Sequence, residues 1–280
     1  FHDLPVTRSG GLAIIISLSI FFGIYYLLYS KILFDYILIC YSMFLVGFLD
    51  DLKIKIKPIK RLLMMIVLLF VLIYFLPIQI LNIDISLLSF ISNNHFFSSV
   101  FVLLCFLFVI NGANLIDGFN GLLALNLLII NIILTYINLN NSNLEFSILL
   151  ISQIVILLSF LLFNFPHAKI FLGDSGAYLM GSLIALNTII TNNLNPNISS
   201  FFFCTLLFYI FFEVFFSFFR KLKQKKSPIY PDNKHLHMLS YFKISSYYGK
   251  YKANYINSVI INLSYLILIY FHLINKFQIF

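Results

Sequence analysis

The chain has 280 residues, 61% of them hydrophobic and only 10% charged, with no Trp. A soluble domain carries about a quarter of its residues as charges, so this composition excludes one and makes lipid the main solvent. The formal net charge is +8, and it has to sit in the few polar stretches that remain.

A bilayer-crossing helix needs about 20 mostly apolar residues. Nine such runs follow one another, beginning near Leu12, Leu33, Leu62, Phe97, Leu122, Phe146, Ala177, Ser199 and Tyr255. The expected fold is all-α, a polytopic helical membrane bundle with nine transmembrane helices in one domain over residues 1–280. The first residue is Phe, and the polar segment HDLPVTRSGG comes before any apolar run; one more helix is expected ahead of it. Neither a long linker nor an internal repeat interrupts the pattern. Cys40, Cys105 and Cys204 lie in or beside apolar runs without metal-ligand spacing and read as packing residues.

Alternating spans divide the connections into two sets. One set, about residues 1–11, 50–61, 111–121, 164–176 and 220–253, holds Arg8, Lys53, Lys55, Lys57, Lys60, Arg61, Lys169, Arg220, Lys221, Lys223, Lys225, Lys226, Lys234, Lys243, Lys250 and Lys252, sixteen of the eighteen basic residues. The other set holds Lys31 and Lys276. The excess of Lys and Arg on the inner side of membrane proteins therefore assigns the first set to the cytoplasm. Its charge suits anionic headgroups and would also attract a nucleotide diphosphate; no nucleic-acid partner is expected.

The acids on that side need a reason, because each stands at the end of an apolar run, where an unpaired carboxylate is costly. Asp50 and Asp51 in GFLDDLKIK repel one another, which suits either a solvated loop or a divalent cation. Oxygen ligands without His or Cys favour Mg2+. In NGANLIDGFNGL, Asn111, Asn114, Asp117, Gly118 and Asn120 gather amides, a carboxylate and glycines, more than a plain turn requires. Asp174 in FLGDSGAYLMG opens the seventh run, as a helix cap or as a metal ligand. Glu213 lies inside the eighth run, two turns before Arg220, as a functional acid or one half of a buried ion pair. The loop from Arg220 to Tyr241 carries Lys234 and a His-x-His pair, His235 and His237. Without a third ligand this makes a poor zinc site and a better phosphate donor set.

These segments together resemble the polyprenyl-phosphate N-acetylhexosamine-1-phosphate transferases, of glycosyltransferase family 4 type. PVTRSGG is similar to the family's Arg-x-Gly-Gly segment, GFLDD to its paired-Asp motif, NGANLIDGFNGL to its Asn/Asp/Gly motif, FLGDSGAYLMG to its Gly-Asp-x-Gly motif and SPIYPDNKHLH to its last loop. All five occur in the family's order and cover nearly the whole chain. The loop is closer to the branch that uses UDP-N-acetylglucosamine than to the branch that uses UDP-muramoyl-pentapeptide, which typically carries three consecutive histidines. Asn120 stands where many members have Asp, Met238 where a third His is frequent, and Asn233 where Arg is common, which shifts the expected phosphate contact towards Lys234.

The resemblance implies transfer of a sugar-1-phosphate from a UDP-sugar to undecaprenyl phosphate, giving a polyprenyl diphosphosugar and UMP at the start of cell-envelope glycan synthesis. It implies Mg2+, with Mn2+ as a substitute, held by Asp51 and Asp174. Asp50 would be the base or a supporting carboxylate, Asn114 and Asp117 would hold the nucleotide, and His235 and His237 the diphosphate. Arg8, Asn111, Gly118, Asn120 and Lys234 complete the expected substrate contacts. The enzyme would lie in the bacterial inner membrane with its site on the cytoplasmic face, and a homodimer stays open. A transporter should show related halves and mid-bilayer polar groups, and a membrane prenyltransferase aspartates three or four apart; neither pattern is evident.

Overall fold

The computed structural model describes residues 6–54, 56–76, 78–84, 94–225, 227 and 234–277, with side chains through Phe271. Among these residues the only strand-like pairing is an isolated bridge between Thr7 and Ile170. The rest of the regular structure is helical: α1 Gly10–Tyr29, α2 Phe34–Asp51, α3 Pro58–Phe75, α4 His95–Ile116, α5 Leu122–Asn140, α6 Leu144–Asn164, α7 Gly173–Leu194, α8 Ser200–Leu206, α9 Phe208–Lys223, α10 Leu236–Tyr248 and α11 Lys250–Phe277. The all-α membrane bundle expected from the sequence is the observed class.

All nine apolar runs fall on helices, but length and composition alone mark fewer than nine of these helices as membrane crossings. Among the described residues six are long and apolar enough to cross a membrane: α1, α3, α4, α5, α6 and α11. The pair α8 and α9, bent by 71°, makes a seventh if it is one span. The physical reason is polarity: α2 carries Asp35, Asp50 and Asp51, and α7 opens on GDS and closes on NTIITNN. The expected loops also contain helix, two of them over long stretches. Residues 111–116 are the end of α4, and α10 stands inside the 220–253 stretch. Lys55, Lys226, Asn233 and most of SPIYPDN lie outside the described residues.

The organising element is α7. It packs against α1, α2, α4 and α5 and is buried along nearly its whole length. Apolar side chains gain little by leaving lipid, so close backbone packing and polar contacts between helices do the work in a bilayer. A Cβ on Gly181 would come within 3.0 Å of the Ile110 Cα in α4. At mid-length the buried Asn187 accepts from the Tyr36 hydroxyl of α2 (2.8 Å) and donates to Gln153 of α6 (2.7 Å) and Asn131 of α5 (3.1 Å). One amide thus ties four helices, at roughly 0.6–2 kcal/mol per contact in a membrane setting.

The bundle has two polar ends. One joins Tyr25 and Lys31 to Glu145, with hydrogen bonds of 2.6 and 2.9 Å. The other joins the end of α2, the starts of α3 and α7 and the turn after α4, and gathers the motif acids.

Candidate functional site

At this second end α2 finishes against the start of α7. Gly47 allows the approach, since a Cβ there would lie 2.4 Å from the Asp174 carbonyl oxygen. Asp51 then reaches across to the first turn of α7. Its Oδ1 accepts from the Asp174 N–H (3.1 Å), and its Oδ2 accepts from the Ser175 N–H (2.9 Å) and hydroxyl (2.6 Å). The cap of α7 is therefore a carboxylate from another helix, satisfying amides that a helix start leaves open. Gly173, at φ 76°, is the residue this requires, because a Cβ would meet the Asp51 carboxylate at 2.7 Å.

The Arg-x-Gly-Gly segment docks on the same strip of chain. The Thr7 carbonyl accepts from the Phe171 N–H (2.8 Å), and the Gly10 and Gly11 N–H groups donate to the carbonyls of Phe171 and Leu172 (both 2.9 Å). This holds the Arg8 guanidinium 3.8 Å from Asp51 and 4.0 Å from Asp174. From the start of α3, Arg61 Nη1 donates to Asp50 Oδ2 (2.6 Å) and Asp174 Oδ2 (2.8 Å), with its guanidinium over the Tyr178 ring. Asp50 and Asp174 also come within hydrogen-bonding reach of one another.

Asp117 follows α4 immediately, within electrostatic reach of Asp174, Arg8 and Asp51. Burial pushes its carboxyl up to about 7; the negative charges of Asp174 and Asp51 raise it further and Arg8 opposes them. Past it, Gly118 faces the imidazole of His237, with an added Cβ 3.6 Å from Nε2, and Phe119 meets the same ring edge-on. His237 and His235 are both buried and stack nearly parallel, 5.4 Å apart. Their Nδ1 atoms lie 2.9 and 3.3 Å from the carboxylate of Glu213.

The sequence-level candidates thus separate by duty. Asp50, Asp51, Asp174 and Arg8 come together in one cluster, His235 and His237 in another, and Asp117 and Gly118 stand between them. Asn114 is half-buried on the last turn of α4. Asn111 donates its side-chain amide back to the Leu107 carbonyl (2.7 Å) in its own helix. Asn120 is buried and holds the turn: its N–H donates to Asn254 of α11 and its amide to the Pro166 carbonyl, both at 2.8 Å. Lys234 is exposed just ahead of the histidines. In the sequence Arg61 reads only as topological charge, and the 2.6–2.8 Å bridge it makes has no local signal beyond its place in the first turn of α3. Glu213 pairs with imidazoles from a distant loop.

The donor set suits a hard cation: carboxylate oxygens dominate it, and two of them, Asp51 Oδ1 and Asp174 Oδ1, face the same guanidinium from 3.8 and 4.0 Å. Among the described residues no three Asp, Glu, His or Cys side chains form a ready metal cluster; Arg61 bridges Asp50 and Asp174, and Asp51 serves the α7 amides.

A model of glycosyl transferase family 4 matches residues 33–192, more than half of the chain and three of the five motif segments. The chain belongs to this family. The undecaprenyl-phosphate alpha-N-acetylglucosaminyl 1-phosphate transferase of Thermotoga maritima is 31% identical over 157 residues, 55% of this chain and 45% of that protein. A phospho-N-acetylmuramoyl-pentapeptide-transferase of Streptococcus thermophilus is 32% identical over 154 residues, 52% of this chain and 45% of that protein. The chain therefore spans about half the length of the curated relatives it matches. Family membership and the apolar helices together make it a multi-pass membrane protein.

Proposed function

We propose that the chain transfers a sugar-1-phosphate from a UDP-sugar to a polyprenyl phosphate, with N-acetylglucosamine or a related N-acetylhexosamine as the sugar and undecaprenyl phosphate as the acceptor. The observation that carries this reading is the meeting, at one end of a membrane bundle, of an Asp/Arg cluster and a His pair around the Asp117–Gly118 turn. Family membership supports the same chemistry. The lopsided lysines and arginines support a cytoplasmic site in the bacterial inner membrane, where a soluble nucleotide meets a lipid headgroup.

In this reaction an oxygen of the lipid phosphate attacks the sugar-proximal phosphorus. The bond from that phosphorus to the bridging oxygen breaks, and UMP leaves with the oxygen. Two anions have to approach, so the task is mainly electrostatic. Arg8 and the histidines hold phosphoryl oxygens, and Arg61 keeps Asp50 and Asp174 in place. Asp50 accepts a proton when the acceptor arrives as a monoanion; Asn114 and Asp117 hold the nucleotide. Mg2+, with Mn2+ as a substitute, would be held by Asp51 and Asp174 and would supply charge neutralisation at the diphosphate.

The test incubates the purified protein with Mg2+, undecaprenyl phosphate and UDP-N-acetylglucosamine labelled in the sugar. Label should enter the lipid, and Asp174→Asn should lower the rate at least about 100-fold while inserting normally. A panel of UDP-N-acetylhexosamines that leaves the lipid unlabelled throughout, or an unimpaired Asp174→Asn, would remove the proposal.

A further inference from the structure

Glu213 is fully buried in the second turn of α9, just past the bend. Its Oε1 accepts from the His237 N–H (3.3 Å) and the Tyr209 hydroxyl (3.4 Å) and lies 2.9 Å from His237 Nδ1. Its Oε2 accepts from the Leu236 N–H (3.3 Å) and lies 3.3 Å from His235 Nδ1. Three N–H or O–H donors thus converge on a carboxylate that, when ionised, can only accept. Each imidazole nitrogen that faces it must then carry hydrogen. A neutral imidazole has one proton, so placing it on Nδ1 leaves Nε2 as a lone pair, open to a second proton or to a ligand. For His237 that nitrogen is the one turned to Gly118.

We propose that Glu213 is a positioning residue: it fixes both histidines as Nδ1–H donors and so aims the Nε2 of His237 at the Gly118 turn. The inference rests on the proposed function for its purpose, since an aimed imidazolium Nε2–H is a charge-assisted donor to phosphate, but the tautomer follows from geometry alone. The other groups around the pair are Tyr209 of α9, Asp117 beside Gly118, Lys234 ahead of His235, Tyr241 of α10 and the Asn257 amide of α11, which donates to the His237 carbonyl (2.8 Å).

The experiment is 15N NMR of histidine-labelled full chain in detergent, with His235→Gln and His237→Gln assigning the signals. The wild type should show both neutral rings protonated at Nδ1. In Glu213→Gln the amide offers one accepting oxygen and one donating NH2 group, so at least one ring should switch to protonation at Nε2. That variant should have a lower kcat/KM for the UDP-sugar, and Glu213→Asp should restore part of it. A wild type protonated at Nε2 overturns the inference even if Glu213→Gln fails to fold, and so do two rings still protonated at Nδ1 in a folded Glu213→Gln. Correct tautomers in a protein that transfers nothing would sink the proposed function and leave the tautomer assignment standing.

Discussion

Asp117 occupies the point where α4 gives way to a turn, between the carboxylates of one cluster and the imidazoles of the other. Its carboxyl is raised to about 7 by burial first, with Asp174 and Asp51 adding and Arg8 opposing. The folded protein therefore binds a proton there that the unfolded chain releases near pH 4, so the folded state loses stability as pH rises from about 4 to about 7. In metal-free protein Asp117→Asn should raise the apparent melting temperature above pH 7, leave it unchanged near pH 4 and reduce transfer. Equal melting temperatures of the two proteins at pH 8 would show that the carboxylate carries no such penalty. The carboxylates themselves were legible in the sequence because charge at the end of an apolar run is expensive and calls for a partner. What each oxygen does was not. Asp51 spends both on the amides of α7, 123 and 124 residues away, and no local pattern encodes so distant a cap.

Among the elements, α1 and α7 show why glycines recur in the motifs. A Cβ on Gly11 would lie 2.3 Å from Ser175 Oγ and 2.4 Å from the Gly176 nitrogen, whereas one on Gly23, in the same helix, would meet nothing within 4 Å. Gly11→Val should therefore cost about 1–3 kcal/mol and be read as a lower apparent melting temperature with weakened transfer; Gly23→Val should melt like the wild type. Equal melting of all three would mean that α1 does not need this close approach. The helices themselves were readable as apolar runs, but their ends were less so. NGANLI looked like a loop because asparagine and glycine break helices in water, yet Asn111 satisfies its amide on the Leu107 carbonyl one turn back and α4 continues. The α10 segment, LHMLSYFKISSYY, mixes polar and aromatic residues and buries only His237 and Tyr241, so it carries no long apolar run to announce it.

For the molecule as a whole, the two polar ends of the bundle differ in kind. One closes on a small Tyr25–Lys31–Glu145 group, and the other collects aspartates, arginines and histidines from segments spread between Arg8 and His237. Between them, Asn187 and its partners on α2, α5 and α6 keep α7 at a fixed height, and α7 in turn sets where Asp174 meets Asp51. The order of motifs along the chain made the family readable, whereas the Arg61 bridge and the Glu213–imidazole contacts are properties of the packed bundle. The chemistry is tested most directly by the fate of the sugar-proximal phosphorus. With UDP-N-acetylglucosamine labelled at that atom and undecaprenyl phosphate as acceptor, the label should pass into the lipid while unlabelled UMP is released in equal amount. Release of labelled UDP, with the sugar alone on the lipid, would contradict transfer between phosphates and leave this end of the bundle to another reaction.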